Sequence, residues 1–433
     1  MKQELTQTSG AATAAAPASA ASAAAASAAA PFSGYQKITV AMLAFLQFAV
    51  ILDFMLMSPL GAVIMPTLRI SPSQFGVVVS AYAFSAGIAG LLTAGIADRY
   101  DRKRLLLFFY TGFILGTLWC GMAQSFESLL AARIVTGLFG GVIGSVVLAI
   151  ATDLFAPAQR GRVMGLIQTA FAASQVLGLP AGIYLSNQWN WHAPFLAMAA
   201  FGLCGGLLVA WQMQPVNAHL KQPQEHSAWL HLYHTLTERE HLLAFAITAL
   251  LSTGGFMLMP FGSAYVVNNL GISLDHLPTI YLVTGLCTIF IGPLVGKASD
   301  SFGKFRVYLF GTVLSIVMVL IYTHLGQTSL AVLIVVNTVL FIGIFSRMIP
   351  VQAMMSGVPV VTKRGAFNAI SASIQQLSGG LASVLAGHIV VQAADGHLQH
   401  FDRIGYVVVA SAVGAMLLVW RLHRQLATRT VQN

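Results

Sequence analysis

The chain has 433 residues, 57% of them hydrophobic and only 8% charged, with a mean hydropathy of +0.78. A soluble domain carries about 25% charged residues, so a water-facing globular surface is excluded. The net charge of +9 does not point to nucleic acid, because the basic residues lie in short stretches between apolar runs of about 20 residues.

In chain order, residues 1–35 come first, rich in Ala, Ser and Thr and without the basic start and apolar core of a signal peptide. They read as a disordered cytoplasmic tail. Twelve spans follow, over 38–64, 73–97, 105–124, 127–152, 162–186, 193–213, 242–267, 277–298, 306–325, 329–351, 366–392 and 404–422. Residues 36–213 form an N-terminal six-helix bundle, 242–425 a C-terminal one, and 426–433 a second cytoplasmic tail. The polar segment 214–241 between them reads as a cytoplasmic linker rather than a metal site; of its histidines only His231 and His234 are at adjacent helical spacing, and no cysteine accompanies them. Placing both termini in the cytoplasm puts all the basic residues there except Arg69, Arg133, Arg347 and Arg403. That is the positive-inside pattern of a multi-pass protein of a bacterial-type inner membrane.

The halves repeat one another. Phe54-Met55-Leu56-Met57 recurs as Phe256-Met257-Leu258-Met259, Asp98 recurs as Asp300, and Arg160-Gly161 recurs as Arg364-Gly365, at nearly one spacing. Two parallel repeats of six helices place a substrate site between them near the bilayer midplane.

The loop Gly95-Ile96-Ala97-Asp98-Arg99-Tyr100-Asp101-Arg102-Lys103-Arg104 resembles the loop 2–3 signature of the major facilitator superfamily, with Ala94 and Asp101 where glycines are usual. Gly296 to Arg306 is its weaker second copy. Arg133 with Gly137, Gly140, Gly141 and Gly144 resembles the family's fourth-helix motif, and Gly178-Leu179-Pro180-Ala181-Gly182 is a split form of its antiporter motif. The resemblance is to the drug:proton antiporter and sugar-efflux branch, including arabinose-efflux-like permeases. It implies an all-α polytopic fold of twelve helices in two pseudo-symmetric bundles. It also implies a cytoplasmic gate of Asp98, Arg99, Arg102, Asp153, Arg160, Asp300, Lys304 and Arg306, the alternative being plain topogenic charge. Gly178, Pro180 and Gly182 are the helix-5 motif residues, with Pro180 expected to kink that span.

Asp53 is the one acidic residue deep within a span, where a carboxylate costs about 2.5–3.5 kcal/mol, and its repeat position is Gly255. Arg133 falls at similar depth on span four. A guanidinium nearby favours the carboxylate and burial favours the neutral acid, so Asp53 with Arg133 is the candidate proton-coupling pair. A static buried ion pair is the competing reading. Arg347 is the second half's single deep charge, suited to an anionic substrate group or to backbone carbonyls near Pro350. Phe54, Met57, Arg133, Phe256, Met259, Phe261, Tyr265 and Arg347 are the candidate substrate-cavity residues, with ordinary helix packing the alternative for the apolar ones.

The expectation is a monomeric proton-coupled transporter with no cofactor and no metal, taking protons and a small amphipathic or drug-like molecule as partners. Export in exchange for protons is the leading direction, and uptake of a small organic solute or anion is the runner-up. ATP is not implied, since no Walker-type loop occurs. A non-transporting sensor or membrane enzyme is the remote alternative, because the spans hold isolated charges rather than a catalytic cluster.

Overall fold

The structure is a computed structural model and describes residues 31–94, 99–217, 220, 228–360 and 364–432. The helices are α1 (Gly34–Leu56), α2 (Gly61–Leu68), α3 (Pro72–Ala94), α4 (Arg102–Met122), α5 (Phe126–Leu154), α6 (Pro157–Ala173), α7 (Leu179–Gln188) and α8 (Ala193–Gln212) in the first half. After the linker helix α9 (Ala228–Thr237) come α10 (Arg239–Leu258), α11 (Gly262–Asn268), α12 (Leu277–Phe302), α13 (Lys304–Thr323), α14 (Leu330–Met355), α15 (Arg364–Ile389) and α16 (Phe401–Gln432). Among the described residues, eleven helical segments are long and apolar enough to cross a membrane. The remaining span, the eleventh in chain order, is α15, equally long but interrupted by Asn368, Gln375, Gln376 and several serines. It makes the most extensive helix pairing in the molecule, against α3 of the other half.

Caps set many helix starts. Ser33 forms a reciprocal capping box with Gln36. Ser125 and Ser329, at equivalent repeat positions, each accept the N–H three residues on. Asp101, where the family pattern has glycine, is the N-cap of α4 and accepts from the Arg104 N–H at 3.0 Å. Its counterpart Gly303 instead takes φ +94°, which glycine alone adopts without strain.

The sequence places spans one and seven as unbroken helices; the structure divides both just after the Phe-Met-Leu-Met repeat. Turn residues separate α1 from α2 at Pro59, and a 3₁₀ turn at Met259–Phe261 containing Pro260 separates α10 from α11. Proline lacks the N–H that would continue the ladder, which frees carbonyls. The two breaks face each other, and each uses the other's freed groups. Ser58 Oγ donates to the Met259 carbonyl, and Ser263 Oγ donates to the Ser58 carbonyl at 3.1 Å. Span eleven also stops earlier than its apolar run suggests. Ile389 ends α15, and Val391–Gln392 (β1) pairs antiparallel with Leu398–Gln399 (β2) around Gly396 at φ +90°.

Packing differs at the two ends of the bundle. At the end away from the chain termini, one continuous core joins both halves, from Leu56, Leu60 and Phe75 to Phe261, Leu270 and Phe401. At the end holding the termini there are two cores, one around Leu43, Tyr110 and Val146, the other around Phe245, Tyr308 and Phe367 with Leu91 of α3 packed against it.

Within the first half, glycines on α5 set the approach to α3. A Cβ on Gly141 would lie 2.5 Å from Ala86 Cα and 2.6 Å from Ala86 O, both rigid backbone atoms. Gly141→Leu is therefore expected to abolish monodisperse protein in detergent, since overpacking costs about 1–3 kcal/mol where neighbours can yield and more where they cannot. Gly165→Leu, with nothing within 4 Å of its Cβ, should leave yield and melting temperature unchanged.

Candidate functional site

Two polar arrangements lie inside the apolar bundle. The first is in the N-terminal half. Asp53 is on α1, fully buried, and its Oδ2 accepts from Arg133 Nη1 on α5 at 2.7 Å. Its Oδ1 accepts from the Thr117 hydroxyl on α4 at 3.2 Å. The Arg133 guanidinium carbon lies 4.6 Å from the Tyr82 ring centroid, with the cation over the ring face of a residue on α3. Four helices thus converge on one ion pair. Similar depth and the helix adjacency implied by the family resemblance point to the pairing of Asp53 with Arg133, and the contact is present. Thr117 and Tyr82 are not legible in the sequence, because a lone hydroxyl in an apolar helix is usually satisfied by its own backbone.

Span five delivers two glycines beside this pair. The expected kink at Pro180 takes the form of a π-helical turn over Ser174–Gly178, in which the Leu179 N–H reaches back to the Ser174 carbonyl. Cβ atoms on Gly178 and Gly182 would fall against Leu52 and Leu56, the side chains flanking Asp53 on α1. The π turn places Gln175 and Leu179 on the wall of a cavity.

That cavity is the second arrangement, with a volume of about 330 Å³. Met55, Ser58, Pro59, Gln175 and Leu179 of the first half close one side, and α10 to α14 with Val408 of α16 form the rest. Of the residues nominated from sequence, Phe256, Met259 and Arg347 line it. Phe54 stands between the two arrangements, its ring 5.6 Å from Phe256 and 5.3 Å from Tyr82. Arg133 lies wholly within the ion-pair cluster. Met57, Phe261 and Tyr265 depart from expectation: all three are buried in the core at the closed end, and none lines the cavity. Tyr265 stacks on Phe401 at 4.0 Å between centroids, and its hydroxyl donates to the Leu325 carbonyl at 2.7 Å.

Arg347 is 8% exposed, its Nε has no hydrogen-bond partner, and it makes no ion pair among the described residues. The spans of the second half contain no Asp or Glu that could neutralise it at this depth. A buried charge without a partner costs several kcal/mol, so its retention on a cavity wall asks for an explanation. The Thr284 and Ser315 hydroxyls on the same wall also lack partners.

The nominated gate residues divide. Asp98 lies outside the described residues, as does the neighbouring part of its loop. Arg99 is exposed. Arg102 Nε meets Asp153 Oδ2 at 3.2 Å, tying the start of α4 to the end of α5. Arg160 donates to the Thr152 carbonyl at 2.7 Å and to the Phe155 carbonyl at 3.2 Å, capping α5. These contacts join elements of the first half to one another. Asp300, Lys304 and Arg306 of the second half are exposed. Among the described residues no His, Cys, Asp and Glu group could hold a metal ion.

Two related six-helix halves around a midplane cavity define the architecture of a polytopic membrane transporter. The sequence matches the profile of the Major Facilitator Superfamily over residues 43–383 and again over 244–429, and the chain belongs to that family. It is 29% identical over 265 residues to the uncharacterized MFS-type transporter YceJ of Bacillus subtilis, covering 60% of this chain and 67% of YceJ. Over 150 residues it is 30% identical to Multidrug resistance protein 3 of Bacillus subtilis, covering 34% of this chain and 29% of that protein. The crystal structure of the nucleoside transporter NupG superposes with a TM-score of 0.73 at 13% identity, covering 89% of this chain and 99% of that one.

Proposed function

We propose that this protein is a proton-coupled secondary transporter that exports a small amphipathic molecule in exchange for protons, working as a monomer by alternating access. The observation that carries the coupling is the sealed Asp53–Arg133 pair, a titratable acid held by a cation and a hydroxyl inside an otherwise apolar bundle. Such groups in membrane spans mark ion and proton paths. The glycine contacts of the π-turned span with Leu52 and Leu56 give that path a moving part: displacement of α7 against α1 would unpack the walls around Asp53. Similarity to Multidrug resistance protein 3 supports export over uptake.

In this reading the termini are cytoplasmic in a bacterial-type inner membrane, following the positive-inside distribution of basic residues. The shared core at the opposite end is the closed outer gate, and the two cores at the terminal end belong to an inward-facing state. The two halves rock about the cavity, and protonation of Asp53 releases Arg133 as the outer end opens. Arg102, Asp153 and Arg160, with Asp98, Arg99, Asp300, Lys304 and Arg306, would rejoin the halves at the inner end in the outward-facing state. The membrane potential contributes about 2.3 kcal/mol per charge for each 100 mV.

Direction-resolved flux tests this reading. Protein reconstituted in liposomes is given a pH jump of either sign, and movement of amphipathic dyes and lumenal pH are followed together. Dye should move against the proton flow, with an opposing lumenal pH change. Co-directional movement would replace export with symport, and movement independent of the gradient would remove the proton from the mechanism.

A further inference from the structure

The repeat that relates the halves also relates the two polar arrangements. At the offset of 202 positions that links the Phe-Met-Leu-Met segments, Asp53 corresponds to Gly255, Tyr82 to Thr284 and Thr117 to Val319. At the offset of 204 that links the caps Ser125 and Ser329, Arg133 corresponds to Asn337. All four counterparts line the cavity. Where the first half fills its centre with an ion pair, the second half has smaller or uncharged residues and open space. Nothing lies within 4 Å of a Cβ built on Gly255.

One full charge faces that space. Arg347 stands on α14, buried, with Nε unpartnered and no Asp or Glu at its depth in the six spans around it. Ser315, whose hydroxyl lacks a partner, packs at Gly343 one turn earlier on α14, and Thr284 adds a second unpartnered hydroxyl. A guanidinium presents paired N–H groups that match a carboxylate, and hydroxyls can complete its coordination. Phe256, Met259, Ile280 and Phe341 supply an apolar wall for the remainder of a ligand.

We infer that the transported substrate is an amphipathic organic anion, a monocarboxylate whose charged end is held by Arg347 in the cavity of the second half. This rests on the transport reading above and narrows it to a substrate class. The substrate's carboxylate then takes the role in the second half that Asp53 takes in the first: each half presents one arginine to one acid. The first acid is built in and accepts a proton; the second comes and goes with the cargo. One anion leaving for one proton entering moves two elementary charges in the same electrical sense, so an inside-negative potential drives export even without a pH difference.

The test uses naphthoate and its neutral isostere naphthamide, titrated calorimetrically into the purified full-length protein in detergent. Wild type is expected to bind naphthoate at least about tenfold more tightly, the value of a hydrogen-bonded charge over its neutral counterpart. Arg347→Gln should bring the ratio to about one while keeping naphthamide affinity, and Arg347→Lys should retain part of the preference. Gly255→Leu, entering open space, should weaken both ligands. Equal affinities in wild type, or a preference that survives in Arg347→Gln, would overturn the proposal, as would naphthoate binding unchanged in Gly255→Leu. The wild-type comparison decides even if Arg347→Gln does not fold. Flux separates the two readings. Naphthoate that binds selectively but is not moved by a potential or pH gradient removes transport and leaves the anion site. Gradient-driven movement of neutral or cationic amphiphiles without carboxylate preference removes the anion site and leaves transport.

Discussion

Asp53→Asn in reconstituted protein is expected to lose the gradient-driven component of flux, while substrate still equilibrates down its own concentration gradient. The amide can keep the hydrogen bond from Thr117, but it cannot exchange a proton at working pH. This variant alone does not decide the matter, because it also leaves Arg133 fully buried beside a neutral group. Removing one partner of a buried pair costs about 3–5 kcal/mol, so some loss of yield is expected from Asp53→Ala in any case. Arg133→Met should be milder in folding, since an isolated carboxyl can become neutral by taking a proton and an isolated guanidinium cannot. The deciding variant is the double replacement Asp53→Leu with Arg133→Met. Well-packed apolar residues often match or exceed a buried ion pair in stability, so its melting temperature should return to the wild-type range. If the pair is purely structural, that protein still transports in response to pH. If Asp53 carries the proton, the protein is stable and uncoupled, and a stable double variant with intact coupling sinks the proton role.

The second large effect concerns the closed end. Gly76 on α3 and Gly387 on α15 meet across the two halves: a Cβ on Gly76 would lie 2.7 Å from the Ser383 carbonyl oxygen, and one on Gly387 would lie 2.9 Å from the Pro72 carbonyl oxygen. If the halves rock as proposed, valine at either position acts as a wedge in this state and not in the one open at this end. Gly141 differs, because its contact lies within one half and persists through any rocking. Gly76→Val is therefore expected to fold yet to favour the state open at the end away from the termini. With overpacking of about 1–3 kcal/mol, the ratio of states shifts by roughly 5- to 150-fold. The readout is alkylation of a cysteine placed at Ser263, which lies in the Ser58 contact, in a background with Cys120, Cys204 and Cys287 replaced. Its labelling by a membrane-impermeant reagent should rise by a comparable factor. Unchanged labelling with intact folding would mean that the halves do not separate there.

How much of this was readable in the sequence follows from the solvent. Spans, repeat and Asp53 stand out because charge is expensive in hydrocarbon, and depth, together with the neighbouring placement of spans one and four that the family resemblance implies, brings Asp53 to Arg133. Which way an apolar helix faces does not stand out. Lipid and protein core are equally apolar, so the face pattern that orients helices in water is nearly absent here. That is why Met57, Phe261 and Tyr265 read equally well as cavity residues yet only pack in the closed core, while Val319 and Ile280 of the same core also line the cavity without any mark in the sequence. The helix breaks at Pro59 and Pro260 had a visible signal in proline. Their mutual hydrogen bonding did not, since it joins positions some 200 residues apart.

The correspondence between the ion-pair cluster and the cavity bears on how such a chain can change over generations. If Asp53 and Arg133 couple the proton and the cavity holds the cargo, a duplicated scaffold with a charge pair in one copy and uncharged residues at the equivalent positions of the other gives the two tasks to different halves. Substitutions at Gly255, Asn337 or Val319 can then reshape which molecules fit without disturbing Asp53 and Arg133. On that reading, new specificities are reachable by single steps in the second half while the charge pair of the first stays as it is.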